Sequence, residues 1–471
     1  MSEIKTLKKD ELQLFVDDEW IADSNRLGRR WFSPRKFPKP LIVADRPYEE
    51  QCPLLWGGVL RDTNGLFRMW YTCWHRKFRD RGMVCYAESE DGVVWHKPSL
   101  GICEFDGSTD NNICLTMPHN MDGVSVVDDS EDPAFPLKMI FYTKVDVPEG
   151  QVGHGLFAAR SRDGIQWEVL DGGPLCPAFG DRMTAVGRRV QGKFVAFSRY
   201  IETSQKYGMR TINRSESEDL VHWSTPELVL KPDVEDPPNT EFYGMSVFPY
   251  GNRYLGALER MHRVPDVVDT ELAISRDTKT WSRTRARVCF IPRGEKGSYE
   301  SDWVNPAHTP PIPVMSNRGN SLYIYYSGRS GAHGVPYPLT QGAIYLSVLR
   351  LDGFAALEAD FQEGWICTPP IRWPGGHLAI NADTQRSLDS HPGLHHGEVR
   401  VELTALDGAP LPGYERDACE PMVGHFYAAQ DEHKTGIVRW GEKTATDLEG
   451  KIVQIKFYLR NARLYAFRAF E

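Results

Sequence analysis

Nowhere in this 471-residue chain do 18 apolar residues run together, so no helical membrane span is expected. The first ten residues, Met1 to Asp10, contain no apolar stretch of the kind that directs secretion. The sequence as it stands therefore reads as cytoplasmic, with export behind a removed leader left open. Basic charge is in deficit, 55 Lys and Arg against 64 Asp and Glu for a net charge of -9, and no long basic run interrupts the mixture. A nucleic-acid partner is excluded on that balance. Cysteine spacing of the metal-binding kind is also missing. The nine Cys (52, 73, 85, 103, 114, 176, 289, 367, 419) are odd in number and scattered, as expected of reduced, buried thiols rather than a zinc site or a disulfide framework.

Turn formers and aromatics are abundant. Gly (41) and Pro (32) accompany 13 Trp and 19 Tyr, the composition of many short strands joined by turns. The length exceeds what one ordinary core fills, so either two domains or a large repeat architecture is expected.

A repeat is present. Ser89-Glu90-Asp91-Gly92-Val93-Val94-Trp95 returns as Ser161-Arg162-Asp163-Gly164-Ile165-Gln166-Trp167, as Ser217-Glu218-Asp219-Leu220-Val221-His222-Trp223 and as Ser275-Arg276-Asp277-Thr278-Lys279-Thr280-Trp281. In each copy Ser and Asp can bond the backbone of a tight turn, Gly in two copies relieves a positive φ, and Trp re-enters a packed layer. Successive Trp lie 72, 56 and 58 residues apart, about four strands per unit, which points to a β-propeller. Matching second strands begin at Phe67, Lys138, Lys193, Arg253 and Leu322, giving five blades over residues 47–364. The fifth lacks the corner, as a degenerate closing blade would. Residues 1–46 are too rich in Pro and charge for a helix; they are expected to wrap the first repeat and to lend the ring a strand. From 365 to 471 alternating strands without the corner suggest a small β-sandwich. The fold class is therefore all-β, a five-bladed propeller followed by a sandwich. His391, His395 and His396 read as surface loop.

The first strand of each blade lines the central channel, so the residue before it stands at the mouth. Asp122, Asp181, Glu241 and Asp302 occupy those places at intervals of 59, 60 and 61 residues. Glu50 is the looser counterpart in the first blade. Carboxylates crowded round one funnel raise one another's pKa, so the ring invites a cation, bound water or an acid held protonated. The last is what general-acid catalysis requires. No cofactor is implied, and a structural Ca2+ in the channel is left open. The competing reading is that these acids cap turns or pair with Arg182, Arg210, Arg260 or Arg329. Trp56, Trp74, His75, Arg182, Arg210, Tyr243, Arg260, Trp303, Arg329 and His333 are placed around the same mouth as substrate-binding residues, since aromatic faces stack on sugars and cations bond hydroxyls or carboxylates. For Trp56 and Trp303, blade packing is the alternative.

Tyr86-Ala87-Glu88-Ser89-Glu90-Asp91-Gly92-Val93-Val94-Trp95-His96-Lys97-Pro98, Asp110-Asn111-Asn112-Ile113, Leu349-Arg350-Leu351-Asp352-Gly353-Phe354 and the tail phrases Leu378-Ala379-Ile380-Asn381 and Leu464-Tyr465-Ala466-Phe467 resemble bacterial proteins similar to the N-terminal domain of glycoside hydrolase family 32. The wider relatives are the five-bladed propeller families 43, 68 and 130. The resemblance implies a glycosidase acting through acids at the propeller axis. The family 32 nucleophile motif Trp-(Met/Leu)-Asn-Asp-Pro-Asn is absent, as are its Arg-Asp-Pro and Glu-Cys-Pro motifs, and Glu50-Gln51-Cys52-Pro53 only echoes the last. Roles do not carry over residue by residue.

The expectation is thus hydrolysis of a glycosidic bond in an oligo- or polysaccharide. Glu241 would serve as general acid and Asp181 as base or nucleophile, with Asp122, Asp302 and Glu50 orienting the substrate. Two alternatives stand beside it: a non-catalytic carbohydrate-binding propeller, and a polysaccharide lyase in which His75 or His333 with Tyr243 removes a proton from a uronate. The sequence does not set the oligomeric state.

Overall fold

The structure is a computed structural model that describes residues 3–50, 52–73, 82–148, 151, 153–202, 208–284, 286–315, 320–333, 335, 339–384, 397–428 and 436–471. Trp74, His75, His391, His395 and His396 lie outside the described residues. Strands dominate, and the described residues contain only two short 3-10 turns, Arg416–Ala418 and Ala445–Leu448. None of the described helices is long and apolar enough to cross a membrane.

Three four-stranded antiparallel sheets follow one another along the chain, and after them a nine-stranded sheet in which the last two blades are joined by one parallel bridge, Val268 to Trp303. Blade I is Pro53–Arg61, Phe67–Cys73, Gly82–Ser89 and Ile113–Met117; blade II is Asp122–Asp128, Leu137–Lys144, His154–Ser161 and Trp167–Val169. Blade III is Met183–Ala185, Phe194–Glu202, Met209–Ser217 and Glu227–Leu230; blade IV is Thr240–Tyr250, Arg253–His262, Val267–Ser275 and Trp281–Arg283. Blade V orders Trp303–Pro306, Ser321–Ser330, Gln341–Arg350 and, as its outer strand, Arg35–Lys36 from the start of the chain. Pro53–Arg61 packs against blade II on one side and the strands of blade V on the other, which closes the ring.

The apolar cores lie between blades. Tyr71 and Met69 of blade I meet Tyr325 and Leu346 of blade V, Trp70 meets Met139 and Phe141 of blade II, and Ile140 meets Ala196 of blade III. Phe197 and Ile212 of blade III meet Leu258 of blade IV. Each large side chain so buried contributes about 1.5–3 kcal/mol, so no blade is expected to hold its shape without its neighbours.

The repeated corner explains why the motif recurs. In all four copies the Ser hydroxyl donates to Asp Oδ1 at 3.0–3.2 Å. The same oxygen accepts two N–H groups further on, at 2.8 Å in the first corner and 2.8–2.9 Å in the third. The following residue is left-handed in every copy: Gly92 and Gly164 at φ 76°, Leu220 at 69° and Thr278 at 66°. For the last two the strain is roughly 1–2 kcal/mol each, offset by complete burial of both side chains. Corner residues then reach the neighbouring blade: Trp167 meets Trp70 of blade I at 6.4 Å, Trp281 meets Phe197 of blade III at 5.8 Å, and Trp95 meets Tyr325 of blade V at 5.9 Å. Blade V has no corner because its fourth strand arrives from elsewhere in the chain.

The remaining strands form two further sheets. Ile452–Arg460 is central to one, paired with Ile371–Arg372, Gly364–Cys367 and Glu398–Thr404. Ala462–Phe470 is central to the other, paired with His377–Asp383 and Ala355–Ala359. Between them lies a core of Phe15, Trp20, Trp373, Phe457 and Phe467. Residues 5–31 of the N-terminal segment pair here, while Phe37, Leu41 and Ile42 pack into the core that blade I shares with blade V. Lys5–Thr6 and Asp23–Asn25 extend one sheet, and Gln13–Leu14 and Gly28–Trp31 extend the other. Phe15, Trp20 and Leu7 bury the segment's apolar face in the core between the two sheets. Propeller and sandwich share a contact in which Asp352 accepts hydrogen bonds from Tyr250 (2.6 Å) and Asn381 (2.7 Å), with Arg350 over the rings of Tyr427 and Tyr465.

Candidate functional site

Along the axis the first strands are stitched together by hydroxyls. Ser125 Oγ accepts from Ala185 N at 2.9 Å, Thr184 donates to Met245 O at 2.6 Å, Ser246 donates to Pro306 O at 3.1 Å and Thr309 accepts from Val59 N at 2.9 Å. These bonds tie blades II to V, and V to I, at one level. Arg182 lies in the same axial layer, buried with Glu259, to which its Nε donates at 2.9 Å, and beside His308 Nε2 at 2.7 Å. Burial, and then the Arg182 charge, hold His308 well below its usual range, and its Nδ1 meets Val124 O at 2.7 Å. A neutral imidazole thus sits beside a neutralised ion pair. Arg182 also covers Trp56 at 5.4 Å. Both are buried among their neighbours.

One end of the first strands carries the acids. A register shift between Asp122 and Ser125, with Gly123 at φ 55°, turns the start of the blade II strand. A Cβ on Gly123 would stand 2.8 Å from Asp181 O and 2.6 Å from Met183 N. Glycine there lets the two chain segments close, and Asp122 comes under the influence of Asp181. Burial first, and the Asp181 charge second, push the Asp122 carboxyl up to about 7. Asn120 Nδ2 donates to its Oδ2 at 3.0 Å. Asp181 is 41% exposed and accepts at Oδ1 from Arg199.

Across the mouth, Tyr243 is the hub. Arg199 and Arg210 lie 4.6 and 5.8 Å from its ring centroid, Trp303 packs edge-on at 4.8 Å, and its hydroxyl is 3.3 Å from His333 Nε2. His333 stacks on Trp303 at 5.5 Å and 12°, and Arg329 covers Trp303 at 4.0 Å. Burial and then Arg210 depress His333, while burial presses the Arg329 guanidinium below its ordinary range. Arg199 Nη1, Arg210 Nε, Trp303 Nε1 and Arg329 Nε are buried donors with no hydrogen-bond partner among the described residues. Each orphan of this kind costs about 1–3 kcal/mol.

Glu241 is buried and held from two sides, by Arg210 and by Arg263 at 3.1 Å. Guanidinium groups only donate, so both carboxylate oxygens accept from arginines. Asp302 caps a turn, taking the Gly331 N–H at 2.8 Å and the Ser301 hydroxyl at 2.5 Å. Arg260 is placed elsewhere. Its strand neighbour Glu259 faces Arg182, and by strand alternation Arg260 projects from the opposite face, where it bonds Asp269 at 2.9 Å and Glu271 at 3.3 Å. Glu50 is partly buried in the turn before blade I with φ 50°. The buried acid of that turn is Glu49, bonded by Tyr71 (2.6 Å) and Lys97 (2.8 Å).

The sequence reading missed Arg199, Arg263, Asn120, Glu259 and His308. A signal existed for the first two: antiparallel pairing sets the end of a blade's second strand beside the start of its first, so charges at those ends face the mouth. Nothing local marks His308 or Glu259. Among the described residues no group of three or more His, Cys, Asp or Glu is placed to hold a metal ion.

No family model matches the sequence, and no curated protein matches it. Solved structures align at low similarity. A β-1,2-mannobiose phosphorylase from Listeria innocua is 12% identical, with a TM-score of 0.47, over 68% of this chain and 97% of its own. A thermostable family 43 glycoside hydrolase is 16% identical, with a TM-score of 0.46, over 67% and 92%. A family 32 β-fructofuranosidase from Bombyx mori is 10% identical, with a TM-score of 0.44, over 92% and 94%.

Proposed function

We propose that the protein is a glycoside hydrolase whose reaction takes place at the mouth of the propeller between blades II and III. One observation carries the reading: two acids from different blades lie side by side, one with its carboxyl raised to about 7 and the other 41% exposed beside an arginine. A carboxyl neutral near pH 7 can protonate a departing sugar oxygen, and a neighbouring carboxylate can activate water or attack the anomeric carbon. The proton-donor role thereby moves from Glu241 to Asp122, and Asp181 keeps the role of base or nucleophile. Glu241 orders Arg210 and Arg263 instead. A panel of aryl glycosides and polysaccharides, with NMR of the product anomer, tests this. Activity undiminished in both Asp122→Asn and Asp181→Asn rejects it.

A second reading, lyase chemistry on a uronate, is favoured by the Tyr243 hydroxyl lying 3.3 Å from His333 Nε2 beneath Arg199 and Arg210. Tyrosine and a neutral imidazole could remove the proton adjacent to a carboxylate that the arginines hold. An unsaturated product absorbing in the ultraviolet distinguishes it from hydrolysis.

A further inference from the structure

We propose that the mouth binds its saccharide through a carboxylate on the sugar, an acidic unit held by Arg329 with Arg199 and Arg210; this rests on the reading of the mouth as the substrate site. Four orphaned N–H donors gather around Tyr243 and Trp303, namely Arg199 Nη1, Arg210 Nε, Trp303 Nε1 and Arg329 Nε, while Asn305 Nδ2 and Ser327 Oγ, one pleat further along the same strands, are also unpartnered. A neutral sugar presents hydroxyls, which donate as well as accept. A carboxylate only accepts, and guanidinium groups match it in shape as well as charge.

The three guanidiniums differ in what already holds them. Arg199 is paired with Asp181 and Arg210 with Glu241, so each is fixed at one edge while another N–H stays unpaired. Arg329 has no ion pair among those the structure shows; its Nη2 reaches only Ala332 O at 3.4 Å, and its residue is 8% exposed. Asp266 and Asp302 act on its charge from a distance, yet burial still presses the cation below its ordinary range, and a carboxylate placed directly against the guanidinium would compensate it. Tyr243 and His333 stand between the arginines with partly open rings, a surface on which the apolar face of the same sugar can rest. A phosphate dianion fits less well. It would bring a second negative charge to a mouth that already contains the carboxylates of Asp181, Glu241 and Asp302.

Calorimetric titration of the full chain with D-galacturonate, D-glucuronate, D-galactose, D-glucose and inorganic phosphate tests the proposal. At least one uronate is expected to bind about ten- to a hundredfold more tightly than its neutral counterpart. Arg329→Met should erase the preference and Arg329→Lys should keep part of it, since the charge remains while the planar fork is lost. Equal binding of acidic and neutral sugars, absence of binding by either, or binding of phosphate alone overturns the proposal. Should Arg329→Met fail to fold, the comparison among ligands on the unaltered protein decides. Cleavage of a neutral glycoside without any acidic preference would overturn this inference and leave the hydrolase reading standing. Uronate preference without turnover of any substrate would do the reverse.

Discussion

Replacing Asp122 by Asn should stabilise the protein while disabling it, and the size of the gain follows from the site. The carboxyl sits at about 7 in the folded chain against an ordinary value of 3.8. A folded-state value above the unfolded one means that the native protein holds its proton more tightly. Below about pH 4 the group is protonated in both states and costs nothing; as pH rises through 7 the native state must ionise a partly buried acid beside Asp181. At 1.36 kcal/mol for each pH unit separating the two values, the cost at pH 8 approaches about 4 kcal/mol, an upper figure because water and side chains relax around the charge. Asn has the same shape, can accept the Asn120 hydrogen bond and carries no charge. The variant should therefore exceed the parent in unfolding free energy by about 2–4 kcal/mol at pH 8, with the gap closing toward pH 4. Denaturant titrations at several pH values measure this. The companion assay is the rate profile: with Asp122 as proton donor, kcat/KM falls as pH rises through about 7. A variant no more stable than the parent at pH 8, or a gap that ignores pH, would refute the reasoning.

Asp181→Asn should lower turnover by about two or more orders of magnitude on any cleaved glycoside, with the melting temperature nearly unchanged because the side chain is 41% exposed. Glu259→Gln strands the buried Arg182 charge on the axis and should cost about 3–5 kcal/mol in denaturant unfolding. Asp163→Ala removes the acceptor of the Ile165 and Gln166 N–H groups in the second corner. It should cost about 1–3 kcal/mol and leave KM and kcat alone, which steady-state assays check. Reducing agent should not shift the melting temperature, as all nine cysteines are free thiols.

The ring was legible because its corner has a chemical grammar: Asp91, Asp163, Asp219 and Asp277 must each accept the same pair of backbone N–H groups, so the residue type cannot drift far. Leu220 and Thr278 were less readable, since a left-handed φ at a non-glycine residue is maintained by packing that only the folded chain provides. The starting positions of the first strands were legible for the same reason of period. Their roles were not: Glu241 and Asp122 look alike in the chain, and what separates them is two arginines from other strands in one case and a neighbouring acid in the other. The placement of the N-terminal segment was equally obscure, because strands of two to four residues such as Lys5–Thr6 and Gly28–Trp31 leave almost no alternation to read.

That segment has a consequence for the order of assembly. Gln13 and Leu14 pair with Phe467 and Ala466, and Arg35 and Lys36 complete blade V beside Val348 and Ser347. During synthesis Gln13 and Leu14 must therefore wait while more than four hundred other residues emerge, and Arg35 and Lys36 while more than three hundred do. The ring gains its last outer strand only after Gln341–Arg350 exists, and the sandwich is finished later still. Until that moment the edge of blade V stands open to other chains, so crowding and the pace of translation, more than the strength of any one contact, would govern how much chain reaches the native state.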